Sequence, residues 1–102
     1  MIKIVNGKEF NEELKEGIVF VDFFATWCGP CKMLSPVIDE VSNEIKDVKF
    51  IKVDVDENED VARKYNIMSI PTLMIFKDGK EIDKKMGFLP KDQLIDFINN
   101  NK

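Results

Sequence analysis

The run Ile18-Val19-Phe20-Val21-Asp22-Phe23-Phe24 constrains this chain more than any other segment, because β-branched and aromatic residues stand at both odd and even positions. A strand covered on one side alternates apolar with polar residues, whereas a strand apolar on both faces belongs in the middle of a sheet with a layer above and below. The one interruption is Asp22. A carboxylate in that setting is costly unless it stays protonated or finds a partner, and that cost argues for a role.

The order of the remaining elements follows from periodicity. After Cys31, the residues Leu34, Val37, Ile38, Val41 and Ile45 fall on one helical face, so a helix is expected to about Lys46. Pro36 lies inside it, lacks an N–H and crowds the carbonyl of Lys32; a kink is expected rather than a break, since the periodicity continues on both sides. Val48 to Val55 reads as a second buried strand, which makes strand, crossover helix and strand one right-handed parallel unit. Upstream, Ile2 to Val5 is a short strand, and Phe10 with Leu14 marks a brief helix within Lys8 to Glu16, ended by Gly17. Downstream come a short helix from about Glu59 to Tyr65 and an apolar strand from Thr72 to Phe76. Asp78-Gly79 is a two-residue hairpin signal leading into an antiparallel strand from Glu81 to Met86. Pro90 suits the first turn of a closing helix whose apolar face is Leu94, Ile95, Phe97 and Ile98. The expected fold is α/β: a central mixed β-sheet, made of a βαβ unit and a ββα unit, flanked by helices on both faces. A chain of 102 residues suits one such domain, spanning 1–102.

Charge and cysteine content narrow the function. The net charge is −4 and the lysines are interleaved with Asp and Glu, which leaves no basic stripe for a phosphate backbone, so no nucleic-acid partner is expected. No uncharged apolar run approaches the roughly 18 residues a membrane helix needs, and the N-terminal segment has no apolar h-region. Neither secretion nor a membrane partner is expected, and the compartment implied is the reducing cytoplasm. The only two cysteines are Cys28 and Cys31, and a bridge between them closes a loop too short to constrain the unfolded chain much. Such a pair is catalytic, redox-sensing or half of a metal site. A structural zinc site needs four ligands, and the chain has no His and no third Cys. Haem attachment needs a His after the second Cys, where Lys32 stands.

Trp27-Cys28-Gly29-Pro30-Cys31-Lys32 lies where a buried strand ends and an amphipathic helix begins, the context in which C-x-x-C reads as a redox motif. Together with Val21-Asp22-Phe23-Phe24-Ala25-Thr26 before it, then Ile70-Pro71-Thr72, Lys77-Asp78-Gly79 and Gly87, the chain resembles the thioredoxin family over essentially its whole length. Cys28 precedes the helix, where unpaired N–H groups and the positive end of the macrodipole favour thiolate over thiol, so it is the expected nucleophile. Thioredoxins are themselves a reference example of that lowering. Cys31, one turn further in and expected to be less exposed, attacks the mixed disulfide and releases reduced substrate. Asp22, raised by desolvation, is placed to accept the proton of Cys31 through water; the resemblance implies the same for it, and implies that Lys52 is the lysine near that carboxylate.

The resemblance further implies that Gly29-Pro30 marks a reductant, since disulfide-forming relatives carry a His-containing dipeptide there. Ile70-Pro71 is implied to be a cis-proline site whose Ile70 backbone pairs with an extended substrate. Gly87 is either a strand end or a place of close approach for a partner backbone, and the family uses it for the second purpose. Trp27 reads both as packing and as an exposed indole that meets a partner. Phe24 stands where most relatives have a second Trp, and Phe88 is bulkier than the small residue common there. Asp54, Asp56 and Asn58 have the spacing of a calcium loop, but Glu59 occupies the required Gly position and Tyr65 the bidentate Glu position, so a solvated acidic loop is expected. Met33, Met68, Met74 and Met86 are taken as packing, with Met68 a contact near the proline loop.

The function expected is reversible thiol-disulfide exchange by a monomer that reduces disulfide-containing protein substrates as a general cellular electron donor. No flavin or nicotinamide motif is present and no cofactor is expected beyond the Cys28–Cys31 pair. Electrons are therefore implied to come from a separate thioredoxin reductase, drawing on NADPH or ferredoxin. The alternatives are a redox-indifferent binding or scaffold subunit of the same fold, and a glutaredoxin-like reductant fed by glutathione.

Overall fold

In a computed structural model, which describes residues 2–102, five strands form one mixed sheet in the order β1-β3-β2-β4-β5. The elements are β1 (Lys3–Ile4), α1 (Gly7–Glu13), β2 (Ile18–Phe24), α2 (Gly29–Glu44), β3 (Lys49–Asp54), α3 (Glu59–Lys64), β4 (Thr72–Lys77), β5 (Lys80–Met86) and α4 (Lys91–Asn99). β2 is central, parallel to β3 and antiparallel to β4, as its two apolar faces require. Beyond them β1 runs parallel to β3 and β5 antiparallel to β4, so the sequence-derived architecture holds and β1 gains a defined neighbour.

Alternate residues of β2 serve two separate cores. Phe20 packs with Leu73 and Ile75 of β4 beneath Leu34, Ile38 and Val41 of α2 and Leu94, Phe97 and Ile98 of α4. Val19, Val21 and Phe23 pack on the other side with Ile51, Met74 and Phe76 against Phe10 of α1 and Val61 of α3. Period-two alternation therefore puts Asp22 on the α2 side of the sheet.

The boundaries depart from expectation by one to three residues, with local causes. α1 ends at Glu13 rather than Glu16, and Gly17 serves instead as a turn at φ +78° that accepts the Asp78 N–H and donates to the Asp78 carboxylate at 2.9 Å. The hairpin turn places both Asp78 and Gly79 at positive φ, as the Asp-Gly pair predicts for a type I′ connection. Pro90 is the N-cap of α4 rather than a residue of its first turn. α2 runs unbroken through Pro36.

The acidic loop is only partly the solvated segment expected from its composition. Asp56, Glu57, Glu59 and Asp60 are exposed, but Asn58 is buried, accepting the Gly7 N–H at 2.8 Å and donating to the Asp54 carbonyl at 3.0 Å. This side chain joins the start of α1 to the end of β3, so it makes no capping bond to α3 although it stands at that helix's N-cap. Asn58→Ala is expected to cost about 2 kcal/mol, because two half-buried backbone groups lose their partner; urea unfolding followed by circular dichroism measures it.

Candidate active site

The strand-to-helix junction after β2 makes Cys28 the N-cap of α2. Its backbone is extended, at φ −84° and ψ 114°, and its Sγ accepts the Cys31 backbone N–H at 3.2 Å. The sulfur thus takes the place that a Ser or Asp oxygen usually fills, over one of the orphan N–H groups that open a helix. A thiolate there receives a charge-assisted bond and the field of the helix terminus, and both favour ionisation. Gly29 and Pro30 form the first turn, where a missing proline N–H costs nothing. Cys31 follows, bonded to Cys28 as a disulfide.

The expectation that Cys31 is less exposed than Cys28 does not hold at the level of the residues. Both cysteines are buried, Cys28 at 4% and Cys31 at 5%, in a small cluster with Ala25, Phe24, Val55 and Ile70. What separates them is position. Cys28 caps the helix and its Sγ lies 3.9 Å from the Ile70 carbonyl oxygen, whereas Cys31 lines a pocket of about 290 Å³ together with Asp22, Ser35 and Lys52.

Asp22 is 1% exposed, and its Oδ1 has no hydrogen-bond partner among the described residues. Burial pushes the carboxyl up from 3.8 to about 7, with the Lys52 charge pulling it part of the way back. Lys52 is the register partner of Asp22 across the β2–β3 pair, which places both residues on the α2 side. Its ammonium does not reach the carboxylate, however; it donates to the Ser35 hydroxyl at 2.6 Å. The structure therefore brings together Asp22, Lys52 and Cys31 as expected, and adds Ser35.

The loop before β4 meets the site on the Cys28 side. The Ile70-Pro71 bond is cis, and the Pro71 carbonyl accepts the Gly87 N–H at 2.8 Å. Gly87 adopts φ +92°, a conformation that favours glycine, and a Cβ there would meet no atom of the described residues within 4 Å. Trp27 is 69% exposed beside the cysteines and its indole N–H donates to Asp56 at 2.7 Å. Met68 and Phe88 are exposed as well. Of the four methionines read as packing, only Met74 is buried; Met33, Met68 and Met86 are surface groups.

Two contributors escaped the sequence reading. Asp56 was one carboxylate among many in an acidic loop. Ser35 carried a usable signal, since it stands four residues after Cys31 on the same helical face.

A buried cysteine pair at the entrance of a helix, joined as a disulfide next to a protonatable carboxyl and a cis-proline loop, defines a dithiol-disulfide oxidoreductase on a mixed five-stranded sheet. Comparison with known proteins agrees: the thioredoxin family model matches residues 1–100. The thioredoxin of Chlamydia caviae is 46% identical over 101 residues, covering 99% of each chain. That of Bacillus subtilis is 47% identical over 95 residues, covering 92% of this chain and 91% of its own. Among solved structures, Plasmodium falciparum thioredoxin superposes with a TM-score of 0.93 at 40% identity, covering 99% of this chain and all of its own. Oxidised mitochondrial thioredoxin 3 of Saccharomyces cerevisiae gives 0.88 at 37% identity, covering 97% and 94%. The chain belongs to the thioredoxin family, and its activity is thiol-disulfide exchange through Cys28 and Cys31.

Proposed function

We propose that this protein is a general protein-disulfide reductase of the cytoplasm, acting as a single-domain monomer that a thioredoxin reductase recharges, with no cofactor beyond its own cysteines. In the first step the Cys28 thiolate attacks a substrate disulfide, forming a Cys28–substrate bond and expelling one substrate thiolate. In the second, Cys31 attacks Cys28, the Cys28–substrate bond breaks, and the second substrate thiolate leaves. Asp22 takes the proton that Cys31 loses, and the departing sulfur is protonated by solvent. The substrate gains two electrons and the protein is left as the Cys28–Cys31 disulfide.

The observation that carries this assignment is the division of labour between the two sulfurs, with Cys28 capping α2 and Cys31 sharing the pocket of Asp22. Trp27, Ile70, Pro71 and Gly87 form the surface against which an extended substrate segment lies, with the indole braced by Asp56. Gly29 and Pro30 shape the first turn that sets the redox balance, and Lys52 tunes Asp22.

Insulin-disulfide reduction with three electron sources tests the assignment. Turnover is expected with dithiothreitol and with NADPH plus thioredoxin reductase, and not with glutathione. Turnover on glutathione alone would favour the glutaredoxin-like alternative, and none with any source would favour a binding subunit.

A further inference from the structure

Ser35 sits half-buried on α2, one turn beyond Cys31, and lines the same pocket as Asp22, Cys31 and Lys52. Its hydroxyl is the observed hydrogen-bond acceptor of the Lys52 ammonium. Among the described residues Asp22 forms no ion pair, and its Oδ1 is left without a partner. That arrangement is not imposed by distance along the sheet. Asp22 and Lys52 are paired on adjacent strands, which lie about 4.8 Å apart, and a four-carbon lysine stem reaches readily across such a gap. The cation is instead bonded to α2, through the Ser35 hydroxyl.

We propose that Ser35 is a positioning residue: by accepting the Lys52 ammonium it holds that cation on α2 and off the Asp22 carboxyl, and so sets how readily the carboxyl trades a proton with Cys31. The last clause rests on the role of Asp22 proposed above; the placement of Lys52 does not. The other groups on this face leave Lys52 as the cation that decides the matter. From α2 come Cys31, Lys32 and Ser35, from β1 Ile4, and from β4 the register partner of Asp22 is Leu73. α4 presents Leu94, Phe97 and Ile98, and its Lys91 is engaged by Glu40 and Glu44 towards the other end of α2. Lys32 is exposed to solvent, where its charge is screened.

Without the hydroxyl, the half-buried Lys52 stem remains beside Asp22, its register partner, and that carboxylate is the acceptor expected to take the ammonium; Asp54, two residues along β3 on the same face, already accepts the Asp56 N–H. Closer approach of an opposite charge favours the ionised carboxyl. The test is a 13C NMR titration of the Asp22 carboxyl in the oxidised protein, where neither sulfur titrates. Ser35→Ala is expected to weaken the proton affinity of Asp22 about tenfold, and Ser35→Thr, which keeps a hydroxyl, to restore it. In a Lys52→Met background the Ser35→Ala change is expected to have no further effect, because the hydroxyl acts through the ammonium. An unchanged or stronger proton affinity in Ser35→Ala would overturn the inference, as would the same weakening in the Lys52→Met background.

The functional arm is the pH profile of mixed-disulfide resolution by stopped flow, whose midpoint is expected to move down with the titration in Ser35→Ala. If Asp22→Ala resolves as fast as the native protein, the proton-acceptor role of Asp22 fails while the titration still decides what Ser35 does. If Asp22→Ala is slow but the Ser35→Ala titration and profile stay in place, Ser35 alone is eliminated.

Discussion

Cys28→Ser is expected to abolish disulfide reduction, by on the order of a thousandfold or more, while Cys31→Ser still completes the first half of the reaction and then stops. The asymmetry follows from the helix entrance. The Cys28 sulfur occupies the N-cap and accepts the Cys31 N–H, a position that favours a thiolate once the disulfide is reduced. A serine hydroxyl can accept the same bond and keep the helix capped, yet at neutral pH it supplies no comparable nucleophile. The fold is therefore expected to survive, and circular dichroism together with single-turnover insulin reduction separates loss of chemistry from loss of structure. In Cys31→Ser the Cys28–substrate disulfide has no resolving thiol and accumulates, visible as a covalent adduct by intact mass under non-reducing conditions. Equal adduct formation by Cys28→Ser and Cys31→Ser would contradict the assignment of roles.

How much of this was legible beforehand depended on whether a residue's environment is local in sequence. β2 was readable because a run apolar on both faces has few places to go, and α2 because its apolar residues recur on one face across Pro36. The β4–β5 turn was readable because Asp78-Gly79 encodes a backbone conformation within two residues. Environments made by distant segments were not. Asn58 looked like a solvated loop residue, but its side chain is claimed by Gly7, 51 positions away. Met33, Met68 and Met86 looked like core fillers because hydrophobicity reports what a side chain tolerates, not which element covers it. Lys52 was expected beside Asp22, and the register puts it there, but the competition for its ammonium is decided by a hydroxyl on a third element. The burial of Cys28 depends on Ile70 and Val55, which pack around the pair from beyond β2 and α2.

Asp22→Asn is expected to stabilise the folded protein at alkaline pH while slowing the second half of its reaction. Burial raises the carboxyl from 3.8 to about 7, so the folded state binds this proton more tightly than the unfolded state does. Stability from this group is therefore fully present below about pH 4, declines as pH climbs and the unfolded chain ionises alone, and is lost once pH passes about 7. Integrated over that window the loss is on the order of 4 kcal/mol. Asparagine has nearly the shape of the protonated carboxyl and does not ionise, so the variant is expected to match the native protein in acid within about 1 kcal/mol and exceed it by several at about pH 8. The carboxylates of Glu9, Glu13 and Asp47, held low by hydrogen bonds and lysine charges, oppose this trend in the native protein, but they are common to both chains and cancel in the difference. Urea unfolding of the two proteins across pH measures that difference, and curves that stay parallel would show that Asp22 is not held protonated. If Asp22 is the proton acceptor proposed for Cys31, resolution of the mixed disulfide in the same variant is expected to slow by about tenfold or more while its formation is nearly unchanged. Both results together, a more stable variant at about pH 8 and a slower second half-reaction, are what a carboxyl kept for chemistry rather than for structure predicts.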